Sequence, residues 1–456
     1  MSTNKKMSNF TFDDTIVAIA TASGIGSISI VRVSGEKALE IALKISKRAS
    51  LTPRFATLSY LHNSNNELID EALILYFKAP FSFTGEDIVE FQCHGGFAIA
   101  NLVVDTVLDL GARMANAGEF SKRAFLNNKI DLSKAEAISK IIEAKSSDAV
   151  KLLARQLKGE LKDFVEDIRE DLLFMLAYTE VSIDYAEEDL PTDIFEKIEQ
   201  KIENITSKLT NTLEASRRRE GMISGFKVAI IGKPNVGKSS LLNKLLNYDR
   251  AIISDIAGTT RDTIEESVKI GTHIIKIVDT AGIREDTSDI IEQIGIEKSI
   301  QAVDEADIVV ALFDNSKIID NEDEKILTLL DENSDKNIIK VLNKSDLDNY
   351  FDKNMLGDFI EISTKDNINL LIKKVEKILD ENTQEDELTL VSKRQIISVE
   401  NCLENINLAK NPLYSGELEF FAHFITEALY EISLITRPYE NDEMLDVMFG
   451  EFCLGK

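Results

Sequence analysis

At 456 residues the chain is too long for one core, and about three domains are expected. Apolar residues at 44% and charged residues at 29% describe an ordinary soluble globular protein, and no apolar run reaches the ~18 residues of a membrane span. A net charge of −27 argues against autonomous non-specific nucleic-acid binding, which depends on neutralising phosphates with Lys and Arg.

The charge is uneven. Residues 1–125 hold 12 Lys+Arg against 13 Asp+Glu, so nearly all the excess lies further on; if RNA is a substrate, a basic partner is expected to supply much of the grip. The start, MSTNKKMSNFTFDD, has no apolar h-region and no arginine, unlike a signal or transit peptide. Cys93, Cys402 and Cys453 are too far apart for a disulfide framework or a metal box. A reducing, cytoplasmic compartment is expected.

Residues 14–35 open with two β-rich runs around a Gly-rich turn. Strand-like runs follow at Ala72–Phe77 and Ile88–Gln92, and Ala98–Leu110 reads as a helix. This mixture predicts an α+β domain, placed at 1–127. Two clusters stand out in it, FTGEDIVEFQCHGG (83–96) and GEFSKRAFLNNKIDLSKAEA (118–137). His94, before two glycines, reads either as part of a turn or as a base, and spacing alone names no chemistry.

From 128 to 224 apolar residues recur at helical spacing with carboxylates on the other face. The acidic patch 184–189 reads as a solvated connection and Arg217-Arg218-Arg219 as a solvated helix end. Between 225 and 380, strand-like runs at Val228–Ile231, Ile274–Val278, Ile308–Phe313, Ile338–Leu342 and Phe359–Ile362 alternate with helical stretches, which predicts a doubly wound parallel sheet. Helical periodicity returns over 381–456. The expected architecture is therefore an α/β domain inserted into a discontinuous all-α domain.

The inserted segment carries an ordered set of motifs. Gly232-Lys233-Pro234-Asn235-Val236-Gly237-Lys238-Ser239 fits G-x-x-x-x-G-K-[ST] and runs from a strand into the helical Ser240–Leu246. Such a loop cradles phosphates with backbone N–H groups, Lys238 reaching the β- and γ-phosphates and Ser239 holding Mg²⁺. Thr260, in Gly258-Thr259-Thr260-Arg261-Asp262, can complete the Mg²⁺ shell. Asp279-Thr280-Ala281-Gly282 brings a carboxylate near the metal and a glycine N–H near the γ-phosphate. In Asn343-Lys344-Ser345-Asp346 the Asp346 carboxylate can accept two hydrogen bonds from guanine, which adenine cannot give, and Ser363-Thr364 completes a base pocket. The set predicts a Ras-like P-loop GTPase. After D-T-A-G stands Ile283, which cannot orient an attacking water as a glutamine would.

Together with DTIVAIAT, GIGSISIVRVSG, the two N-terminal clusters, DIAGTTRD, IEQIGIEKS and the terminal Cys453-Leu454-Gly455-Lys456, these motifs resemble the MnmE (TrmE) family of tRNA-modification GTPases over essentially the full length. A prenylation box is the competing reading of that tail, and Gly455 and Lys456 fit it badly. The resemblance implies a homodimer that binds GTP, Mg²⁺, K⁺ and a tetrahydrofolate derivative (5-formyl- or methylene-tetrahydrofolate). It also implies a heterotetramer with the FAD-dependent partner MnmG (GidA), modifying carbon 5 of the wobble uridine of certain tRNAs. By the same resemblance, folate falls to Arg32, Glu90, Lys129 and Lys456, and Mg²⁺ to Ser239 and Thr260. Potassium falls to Asn235, Ser254, Ile256 and Thr259. GTP contacts extend over Asn235, Val236, Gly237, Lys238, Ser239 and Ser240, and over Ser254, Asp255, Ile256, Ala257, Gly258, Thr259 and Thr260. The water-orienting role falls on Glu292, with Glu285 as the alternative because the span from D-T-A-G to Glu292 is one residue longer than in well-known members; Lys238 and Thr260 complete the catalytic set. A ribosome-assembly or regulatory GTPase would share the nucleotide motifs but need neither the N-terminal clusters nor the C-x-G-K tail.

Overall fold

The computed structural model describes residues 14–22, 24, 26–144, 146–184, 193–248, 267–278, 300, 302–381, 388–437, 449–450, 452 and 455. The chain forms two compact units: Met1–Ser139 with Leu161–Leu176 and Thr426–Lys456, and Lys140–Glu160 with Ala177–Ile425.

The first unit is built on β1 (Ile16–Ile19), β2 (Ile28–Ser34), β3 (Thr57–His62), β4 (Leu68–Phe77), β5 (Ile88–His94) and β6 (Arg113–Met114). Their order is β3-β4-β5-β2-β1-β6, and every pair is antiparallel except β1 with β6. Alternate residues of the strands, among them Val31, Val33, Ile74, Val89 and Phe91, meet the apolar faces of the helices Ala38–Ser46 and Phe97–Asp109. The runs read at 72–77, 88–92 and 98–110 are all present with slightly different ends. β3 and β6 go beyond the sequence reading: β3 is an edge strand whose Leu58 and Tyr60 are exposed, which blurs its alternation, and β6 has two residues.

The two N-terminal clusters meet on one buried cation. Arg123, wholly inaccessible, bonds Glu86 Oε1 (3.1 Å), Glu119 Oε1 (2.9 Å) and Asp14 Oδ1 (2.7 Å), and Arg113 reaches the same Asp14 and Glu119. His94 closes β5: its ring Nδ1–H donates to Asp70 Oδ1 (2.7 Å), and the Gly95 amide donates to Ser27 O (3.0 Å). A Cβ on Gly95 would lie 1.9 Å from Gly26 O, so backbone approach explains that glycine.

The second unit holds β7 (Phe226–Ile231), β8 (Ser267–Ile270), β9 (His273–Val278), β10 (Ile308–Asp314), β11 (Asn337–Asn343) and β12 (Ile360–Glu361), in the order β12-β11-β10-β7-β9-β8. All neighbours are parallel except β8 with β9, so the purely parallel expectation is corrected at one edge. A tight turn at Gly271–Thr272 reverses the chain there, within a run too short to read as a strand beforehand. The helix Asp193–Ser224 packs on Lys393–Ser415, the two flanking the α/β segment. Ser216 Oγ accepts from the Leu390 amide (2.8 Å), Arg219 donates to Thr389 Oγ1 (2.8 Å) and Arg217 pairs with Glu400 (2.7 Å). Arg219 is therefore a buried tie from the first helix to the segment leading into the second, not a solvated end. Residues 185–189 of the acidic patch lie outside the described residues. Among the described residues no helix is long and apolar enough to cross a membrane.

Removing the hub cation should be costly. Arg123→Met would take the cation from Glu86, while Glu119 keeps Arg113, and a loss of about 3 kcal/mol in urea denaturation is expected. Burial raises the pKa of Glu119, but bonds from Arg113, the Asn116 amide and Arg123 more than reverse this and hold it below its ordinary 4.5. The folded form then binds fewer protons than the unfolded one, so this stabilisation is present above 4.5 and is lost as pH falls through the lower folded value. The Arg123→Met variant should show a weaker acid dependence over that range.

Candidate functional site

β7 sits in the middle of its sheet with Val228–Ile231 buried. Chain ends at this place, between strands leading to opposite sides, are where open α/β sheets take ligands. The loop Gly232–Gly237 leaves its carboxyl end and enters the helix Lys238–Tyr248. Val236 is fully buried beneath the loop. Gly237 has φ +108°, and a Cβ there would lie 2.3 Å from Asn343 Nδ2, so only glycine fits. Lys238 Nζ donates to Gly232 O (2.7 Å) and Lys233 O (3.0 Å), which curls the side chain over the loop, and burial lowers its pKa. Ser239 and Ser240 are exposed in the first helical turn, where the helix dipole favours an anion.

The carboxyl end of β11 supplies the other half. Asn343, with no exposed surface, donates from Nδ2 to Val236 O (2.8 Å) and Thr364 Oγ1 (3.3 Å) and accepts the Thr364 amide on Oδ1 (3.1 Å). Lys344 Nζ donates to Asn235 O (2.8 Å) and pairs with Asp314 Oδ2 (2.6 Å). Asp346 accepts from Ser363 Oγ (3.0 Å) and lies 3.5 Å from Lys365 Nζ; the Ser363 bond leads in holding its carboxyl below the usual range. An exposed carboxylate beside buried Ser363 and Thr364 can take a pair of base N–H donors. Asn235, Val236, Gly237, Lys238, Ser239, Asn343, Lys344, Asp346, Ser363 and Thr364 thus come together, while Ser254 to Thr260, Asp279 to Gly282, Glu285 and Glu292 lie outside the described residues. Asp314, Lys233, Asp320 and Asp323 also belong here and were missed; charged residues at and just beyond the end of a fully buried strand were the available signal.

A second constellation lies in the N-terminal unit. Arg32 on β2 faces Glu90 on β5 in register, with Nε 2.9 Å from Oε1. The guanidinium lies 5.7 Å from the Phe120 ring centroid and 6.0 Å from that of Phe83, and Nη1 donates to Gly455 O (3.4 Å). Gly455 in turn lies against Ile19 and Ala20 of the β1 end. Phe449 and Phe452 pack edge to face at 5.1 Å, and Phe449 is buried with Ala124 and Leu132. Lys129 runs alongside Gly85, two residues from Phe83; it makes no hydrogen bond to Arg32 or Glu90 among the described residues. Lys456 and Cys453 lie outside those residues. Burial, with Asp70 adding, pushes the Cys93 thiol up to about 12, which makes it an inert core residue.

A glycine cradle closed by its own lysine, joined through a buried asparagine to a strand end bearing N-K-S-D, defines a P-loop GTPase. Comparison with known proteins narrows this. The model of the GTP-binding protein TrmE N-terminus matches residues 15–129, and that of the MnmE helical domain matches 132–453, spanning the α/β segment. The tRNA modification GTPase MnmE of Aliarcobacter butzleri is 78% identical over 97% of this chain and 99% of its own length. Those of Sulfurimonas denitrificans and Campylobacter jejuni are 60% and 52% identical over 97% of this chain and the whole of theirs. The chain belongs to the MnmE family of tRNA modification GTPases.

Asp346→Asn is expected to weaken GTP binding by about tenfold or more and to improve xanthosine triphosphate binding, since the amide now offers a donor where guanine also donates. Nucleotide displacement titrations check this; equal losses for both nucleotides would dissociate Asp346 from base selection.

Proposed function

We propose that this protein hydrolyses GTP and, as a homodimer working with an FAD-dependent MnmG (GidA) partner, modifies carbon 5 of the wobble uridine of certain tRNAs from a tetrahydrofolate one-carbon donor. The domain limits that go with this reading are 1–127 for folate binding and dimerisation, 128–224 with 381–456 for the helical domain, and 225–380 for the GTPase. The place of action is the cytoplasm.

The observation that carries the reading is the Arg32–Glu90 pair meeting the tail carbonyl of Gly455 beneath two aromatic rings. An assembly or regulatory GTPase has no use for a second polar site so far along the sequence from its phosphate loop. Arg32 offers donors and Glu90 an acceptor of the kind a pterin ring's amide edge needs, and the neighbouring Lys456 and Lys129 would meet folate's carboxylates. Exposed Asn235 and Ser239 carry the hard oxygen donors that K⁺ and Mg²⁺ take, with Ser254, Ile256, Thr259 and Thr260 completing those shells. The two cations, when bound, supply positive charge where negative charge spreads over the phosphoryl oxygens. Lys238 adds to that charge, and Glu292 orients the water in place of the glutamine that Ile283 excludes.

Wobble nucleosides from cells lacking the protein test the reading as a whole: loss of the carbon-5 aminomethyl and carboxymethylaminomethyl groups is expected, and unchanged nucleosides would overturn it. Deleting residues 453–456 should weaken 5-formyltetrahydrofolate binding severalfold, with GTP affinity unmoved. Potassium should accelerate GTP hydrolysis well beyond sodium at matched ionic strength; identical rates would remove the cation from the mechanism.

A further inference from the structure

The phosphate-loop motif prescribes nothing at its second position, and none of the motifs falls in the segment Asp314-Asn315-Ser316-Lys317-Ile318-Ile319-Asp320-Asn321-Glu322-Asp323. Yet this segment grips the nucleotide site at two points. Asp314, the last residue of β10 and 1% exposed, takes the Lys344 ammonium on Oδ2. Its Oδ1 is fixed by the Ser316 amide (3.0 Å) and hydroxyl (2.7 Å). Six residues on, Asp320 caps the helix Asn321–Glu332 and forms a capping box with Asp323. The same two carboxylates hold Lys233 Nζ at 2.7 and 2.5 Å, with the lysine side chain 6% exposed and Asp323 wholly buried.

Both grips end on loop backbone. Lys233 O and Gly232 O are the two acceptors that hold Lys238 Nζ, so the Lys233 side chain anchors the carbonyls that aim the phosphate lysine. Lys344 holds Asn235 O, in a residue with φ +64°. A buried lysine placed only to fill volume could be an apolar residue at lower desolvation cost. A buried lysine with two carboxylates on a helix cap instead gives the loop one position.

We infer that Asp314–Asp323 is a positioning segment for the nucleotide: its Lys233 clamp sets the phosphate half of the site and its Lys344 clamp the base half. This rests on the GTP-binding reading above. The two halves can be separated by ligand, because guanosine diphosphate and guanosine monophosphate share a base and differ in the phosphate that Lys238 meets.

The experiment measures both affinities on the full-length protein by displacing a fluorescent GDP analogue. Lys233→Met is expected to lower GDP affinity about tenfold and GMP affinity less than twofold, with Lys233→Arg restoring most of the loss. Asp320→Asn keeps a good N-cap while removing one clamp charge, and should give the same split at smaller amplitude even if Lys233→Met fails to fold. Asp314→Asn is expected to lower both affinities by one common factor. Equal loss of GMP and GDP in Lys233→Met and Asp320→Asn, or no loss in either, overturns the inference. A wild-type protein that prefers GDP no more than ADP would remove the nucleotide reading itself, and the inference with it.

Discussion

Asn343 has no exposed surface, so each of its polar atoms must find a partner within the protein. It finds them on both sides of the nucleotide site: the carbonyl of Val236 in the phosphate loop, and the amide and hydroxyl of Thr364 behind the base pocket. Two loops more than a hundred residues apart in sequence are thus held at one separation by a single side chain. The conformation of Gly237 follows from the same constraint, because the amide occupies the space a Cβ would need. A nucleotide spanning the two loops meets a gap already set, and little ordering remains to oppose its binding.

Both units bury a cation and surround it with carboxylates from distant segments. In the N-terminal unit, Arg123 draws together Asp14 before β1, Glu86 before β5 and Glu119 on its own helix. In the other, Lys233 draws the phosphate loop onto a helix cap. Such groups are poor sources of net stability, since desolvation offsets most of the Coulomb gain, but a mis-set loop would leave a buried charge unpaired. Geometry is what they secure. The strongly acidic composition has a local counterpart here, with carboxylates outnumbering the cations they surround.

Much of this was legible in the chain. The β-branched run 228–231 and the glycine loop after it state a buried strand and a cradle, because few other arrangements satisfy those residues. The N-K-S-D end and Ser363–Thr364 were readable for the same reason. Lys233, Asp314 and Asp320 were not: in sequence they are charged residues among many, and only the strand order places the end of β10 beside the phosphate loop. Arg219 misled for a related cause. A run of three arginines looks solvated until the segment leading into the partner helix, 170 residues later, bonds one of them. The edge strands β3 and β8 escaped because short, half-exposed segments lack the period that longer ones declare.

The close approach of Gly95 to Gly26 has a reach beyond its own turn. It lies at the end of the β2–β5 ladder, whose register sets Arg32 opposite Glu90 a few rungs away. Side chains alternate between faces along a strand, so a slip of one rung would bring Val89 or Phe91 opposite Arg32 and carry Glu90 out of its reach. The bare glycine contact therefore works as an indexing stop: a place with no side chain at all fixes which side chains meet further along the sheet.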